Sequence, residues 1–257
     1  MTDFNWIQYF TLVGLAVLGT FAVMPYAFEM NKDKLADVPL SLPKLVLASA
    51  LQGTILFAIL TFIGLSASKT VGLSIPLSMD SLPLAVVLGI LGGMAIILCE
   101  YLIFRPYMPE ALKKGESHIA LWKRALASLY GGVSEEILTR LFLISGLAWL
   151  LGNIWQTPAG MPTDGAFMLS IGLAALLFGI GHLPATASIT PLTPLVILRA
   201  IVLNGIVGIL CGWLYWQYGL VTAMIAHFCA DIVLHVIAPQ LEQLSAKPNH
   251  TTVIHTI

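Results

Sequence analysis

The chain has 257 residues, of which 58% are hydrophobic and 10% charged, and its mean hydropathy is +0.91. A soluble domain carries roughly a quarter charged residues, so lipid must be the solvent for most of this surface. The formal net charge of -1 excludes the basic excess that nucleic-acid binding requires.

Apolar runs near the roughly 20 residues needed to cross a bilayer occur at about 5–28, 43–66, 83–104, 125–151, 165–183, 194–217 and 219–239. The first follows Thr2-Asp3 without a positive region and is too long for a signal-peptide core, so it is expected to stay as a span. Turn-forming and charged stretches separate the runs, at Asn31 to Pro43, Lys69 to Pro83, Asn153 to Asp164 and Pro184 to Pro194. Almost no loop separates Gln217 from Gly219, so the last two spans should form a tight antiparallel hairpin. The expected fold is therefore all-α: a polytopic bundle of about seven transmembrane helices forming one membrane domain over 1–257. Cys99, Cys211 and Cys229 lie inside apolar runs without metal or redox spacing and read as small buried hydrophobes.

Lysine and arginine in short loops are retained on the cytoplasmic side. The first loop holds Lys32, Lys34 and Lys44, and the third holds Arg105, Lys113, Lys114, Lys123 and Arg124; Lys247 lies in the tail. With seven spans these fall on one side, which predicts a cell-membrane protein with its N-terminus outside and its C-terminus cytoplasmic. The segment 105–124 mixes Leu112, Ile119, Leu121 and Trp122 with charges, as either a solvated loop or an interfacial amphipathic helix would.

Ionisable groups at membrane depth are expensive and mark functional sites by default. The three spans within 1–104 are nearly bare, with Glu29, Lys44 and Glu100 near ends that can reach the interface. The region 125–240 instead holds Glu135, Glu136, Arg140, His182, Arg199, His227, Asp231 and His235. This contrast suggests a lipid-facing scaffold beside a catalytic or transport half. Glu136 and Arg140 are four apart with the acid first, the favourable order for a helical ion pair. Glu135 lies about 100° around the helix, without that partner, and is free to serve as a general base. Phe178 and His182 share a helical face, and Gly172, Gly179 and Gly181 beside them are expected to admit close neighbours. His227 and Asp231 share another face, which His235 continues. Together Glu135, His182, His227 and Asp231 supply a carboxylate base, two imidazoles and a further polar group. They could activate water and stabilise an oxyanion, or bind Zn²⁺ through His182, His227 and Asp231; either chemistry is hydrolytic. Glu135 and Asp231 are expected on the order of 10–15 Å from the cytoplasmic ends of their helices.

The ordered set Glu135-Glu136-xxx-Arg140, Phe178-xxx-His182 and His227-xxx-Asp231 resembles the CPBP intramembrane proteases, which include type II CAAX prenyl endopeptidases and bacteriocin-immunity proteins. The resemblance covers about 125–235. It implies an intramembrane endopeptidase acting on a membrane-bound peptide or protein. Glu135 would activate water with His182 as its partner, His227 and Asp231 would stabilise the oxyanion, and Glu136 and Arg140 would hold the first motif in shape. Asp231 departs from the Asn that the CAAX branch carries, which adds weight to a metal site, although a metal-free mechanism is the expectation adopted. A non-catalytic immunity or scaffold protein is one alternative. A proton-coupled transporter is another, but the chain lacks the internal repeats such proteins often show.

Overall fold

The computed structural model describes residues 4–36, 38–76, 79–113 and 119–246, and these form helices joined by turns. Seven long helices account for the bundle. They are α1 (Trp6–Met30), α2 (Leu42–Thr70), α3 (82–104), α4 (121–152), α5 (Asp164–Gly181), α6 (Pro194–Tyr218) and α7 (220–246). Among the described residues, six of these seven helices are by length and composition apolar enough to cross a membrane. The helix outside that count is α4, which carries Lys123, Arg124, Glu135, Glu136 and Arg140.

Helix boundaries follow local chemistry. Asn5 accepts from the Gln8 N–H at the start of α1, and Thr163 and Thr193 do the same for α5 and α6. Gly219, at φ 100°, turns the chain from α6 directly into α7, the conformation only glycine adopts without strain. The expected tight hairpin is thus formed by a single residue. The first N–H groups of α7 would be orphans, but Leu220 donates to Ser74 O at 3.1 Å and Val221 to Ile75 O at 3.3 Å.

Helix α4 is the hub. It packs against α1, α2, α5 and α7, while α7 is enclosed by α3, α4 and α6. Burial differs accordingly: 22% of the apolar window in α1 and α2 and 28% in α3 is buried, against 44%, 39% and 50% in α5, α6 and α7. Phe10, Leu18, Leu47, Leu51 and Ile55 on α1 and α2 stay exposed, as lipid-facing residues should.

Both helices that carry the central polar residues contain π-helical turns. In α4 these are Tyr130–Glu135 and Ile137–Ile144, and in α7 Ile232–Ile237. Such turns often occur at functional sites.

Several expectations are revised. Helix α4 begins at Leu121, four residues early, and α7 runs on to Ala246, so Glu135 and Asp231 lie about 20 Å from those helix ends rather than 10–15 Å. Gly179 meets Ile201 of α6, but Gly172 and Gly181 are exposed with nothing beside them. Among the described residues of the 105–124 segment, Glu110–Lys113 forms a separate short α-helix, and 121–124 is the first turn of α4. Thr2, Asp3, Lys114 and the tail with Lys247 lie outside the described residues.

Candidate active site

The first and third sequence motifs meet about halfway along α4 and α7, where Phe178 of the second motif joins them. Glu136 is fully buried, and its Oε1 accepts from Arg140 Nη1 at 2.7 Å. Arg140 also donates to Thr139 Oγ1 and to the carbonyls of Val207 (3.0 Å) and Gly208 (3.2 Å) on α6, and its guanidinium lies 5.4 Å from the Phe178 ring. A desolvated guanidinium needs this many partners, because an unpaired buried charge costs several kcal/mol. Thr139 in turn donates to Glu135 O at 2.6 Å, tying the motif into one unit.

The same Glu136 oxygen accepts from His227 Nδ1 at 2.6 Å, a contact between α4 and α7. In a neutral ring, donating from Nδ1 leaves Nε2 as the free nitrogen, and a carboxylate behind it stabilises the imidazolium. His227 Nε2 faces Asp231 Oδ1 at 3.6 Å and Glu135 Oε2 at 3.9 Å. Both separations exceed a direct hydrogen bond, so the three groups face one another without bonding directly. His227 is buried, whereas the Glu135 side chain retains 21% of its exposure and that of Asp231 13%. Glu136 Oε2 is buried without a partner.

Asp231 can occupy its position because α4 presents Gly131 there. A Cβ at residue 131 would collide with Asp231 Oδ2, and one at 132 would meet the Phe228 side chain at 2.7 Å. These glycines allow the backbones to approach at the level of the acids. Sequence reasoning missed both, although a Gly-Gly pair just before the acidic motif is a usable signal for close approach.

His182 stands apart. It follows the last residue of α5, its Nδ1 is 2.8 Å from Phe178 O, and its ring meets the Phe178 ring edge-on at 4.6 Å. Phe178 touches His227 as well, with centroids 5.9 Å apart, so the aromatic side chain links the two imidazoles. No recorded contact joins His182 to Glu135 among the described residues, and the imidazole nearest that acid is His227. This geometry does not suit the zinc alternative, in which His182, His227 and Asp231 would converge on one point. Among the described residues no three His, Cys, Asp or Glu side chains are grouped as a metal ion requires.

Two further ion pairs lie away from this centre. Glu100 does not turn to the interface: its Oε2 accepts from Arg199 Nε at 2.7 Å, joining α3 to α6 with both side chains largely buried. Pairing across helices lets the two charges neutralise each other at depth. Lys123 pairs with Glu29 at 2.8 Å.

Residues 117–233 match the family model described as Type II CAAX prenyl endopeptidase Rce1-like, a stretch that contains all three motifs. No curated protein and no solved structure matches the chain. This match supports membership in the CPBP family of intramembrane proteases, for a multi-pass helical membrane protein that carries the three motifs on α4, α5 and α7.

Proposed function

We propose that the chain is an endopeptidase that hydrolyses a peptide bond in a membrane-associated protein or peptide, with Glu135 as the general base. The observation that carries this reading is the approach of Glu135 Oε2 and Asp231 Oδ1 to His227 Nε2, on a ring anchored from behind by Glu136. Glu135 takes a proton from water as the water oxygen attacks the scissile carbonyl carbon. Protonated His227, with Asp231 in its acid form, donates to the oxygen on which negative charge develops. The proton held by Glu135 then passes to the leaving amine as the carbon–nitrogen bond breaks. Arg140 and Glu136 hold this set in register. His182 is assigned to partner Glu135 when substrate is bound, since catalytic hydrogen bonds are often long in the free enzyme.

The basic loops favour a topology in which the N-terminus lies outside and the site is reached from the cytoplasm. The substrate class that the family description supports is a prenylated CAAX tail or a related lipid-anchored precursor. The test is cleavage of a fluorescence-quenched, farnesylated CAAX peptide by the purified protein and its Glu135→Gln variant. Loss of about 10²–10⁴-fold in kcat with folding retained is expected when a general base is removed. Undiminished cleavage by Glu135→Gln would rule out its role. If the peptide resists the parent protein, comparing new termini in membranes carrying either form tests the wider endopeptidase reading.

A further inference from the structure

Arg124, in the first turn of α4, is 1% exposed, yet it has no carboxylate within ion-pair distance among the described residues. Arg105, Arg140 and Arg199 each pair with an acid. The recorded hydrogen bond of the Arg124 side chain runs from Nη1 to His235 O at 2.8 Å, and its Nε is buried without a partner. A buried guanidinium in this condition is costly, so its location calls for an explanation.

The acceptor belongs to Ile232–Ile237, the π-helical segment that starts immediately after Asp231. A carbonyl has two lone pairs and can take a side-chain donor beside its helical one. Along the α4–α7 seam the contacts run in antiparallel order: Arg124 with His235, Gly131 with Asp231, Gly132 with Phe228. Asp231 is therefore bracketed on one side by its glycine seat and on the other by the arginine that grips the following turn.

We infer that Arg124 is a positioning residue, which holds the π-turn after Asp231 through His235 O and so aims the Asp231 carboxylate at His227 Nε2. The catalytic part of this inference rests on the role proposed above for Asp231. The hold on the turn is separately measurable.

The experiment compares kcat and KM on the farnesylated CAAX peptide for the parent, Arg124→Gln, Arg124→Lys and Asp231→Ala, and for Arg124→Gln combined with Asp231→Ala. Arg124→Gln should lower kcat by about tenfold with KM within about twofold, the pattern of an interaction realised in the transition state. Arg124→Lys, which can still donate to His235 O, should recover most of the loss. In the Asp231→Ala background Arg124→Gln should change kcat by less than about twofold, since residues acting through one another are non-additive. Arg105→Gln removes a different arginine's contact with α7, an ion pair to Glu242, and should be additive with Asp231→Ala. Amide hydrogen exchange without substrate gives the second readout: Arg124→Gln should speed exchange over 232–238 and leave α5 unchanged. Additive losses, no rescue by lysine, or exchange that is unchanged or uniformly faster would overturn the inference. If the parent protein does not cleave this peptide, that substrate reading fails while the exchange result still decides whether Arg124 holds the turn.

Discussion

Two adjacent glutamates offer a sharp comparison, because identical substitutions should act on different properties. Glu136→Gln keeps the size of a fully buried side chain but removes the anion shared by Arg140 and His227. Arg140 then retains only Thr139, two carbonyls and an aromatic face. Removing one partner of a buried pair costs about 3–5 kcal/mol, and an amide that can still accept places the expected loss near the lower end. At about 1.4 kcal/mol per tenfold, 3 kcal/mol lowers the folded-to-unfolded ratio about 150-fold. Glu135→Gln loses one contact at 3.9 Å from a partly exposed carboxylate, which should cost under about 1 kcal/mol. Denaturant titration in mixed micelles, followed by tryptophan fluorescence, measures both losses, with the thermal transition as a check on two-state behaviour. Equal destabilisation by the two variants, or a larger loss for Glu135→Gln, would refute the division between structural and reactive acid.

Asp231→Asn keeps a hydrogen-bond donor in place, so a metal-free site should retain activity within about tenfold and resist chelators; stoichiometric zinc with an inactive variant would reverse this choice. Gly131→Ala forces the Asp231 carboxylate to move, and a displacement of about 1 Å can cost about 10²-fold in kcat, read against a melting curve that shows the fold is retained. Glu100→Gln strands Arg199 and should destabilise by about 1–3 kcal/mol, while adding Arg199→Gln should recover part of the loss, as a double-mutant cycle will record. A reporter after Ile257 should read cytoplasmic and one inserted at Gly160 external; the reverse would invert the site.

The helical membrane class and the motif residues were legible because each depends on local composition or spacing. Six apolar helices lie where runs of about 20 residues stood, and the i,i+4 relation of Glu136 and Arg140 is a property of one helix. The contact of Glu136 with His227 was not legible, since it joins residues 91 apart and depends on how α4 meets α7. Glu100 was read as an interfacial acid for the same reason: its partner Arg199 is 99 residues away. The π-turns have no period that a hydrophobic pattern records, and the depth estimate moved because α4 starts at Leu121 and α7 runs on to Ala246, beyond their apolar runs. Gly172 and Gly181 show that small residues permit close approach without compelling it.

The hydrogen bonds from Leu220 and Val221 back to Ser74 and Ile75 bear on how the molecule is made. Synthesis proceeds from the N-terminus, so the acceptors for the start of α7 exist long before the helix itself emerges. A chain arrested before residue 220 carries Glu135, Glu136, Arg140 and His182 but neither His227 nor Asp231. On the proposed chemistry such a nascent chain cannot hydrolyse a peptide bond. The proposed hydrolysis therefore waits for α7, whose first turn docks onto a loop laid down early.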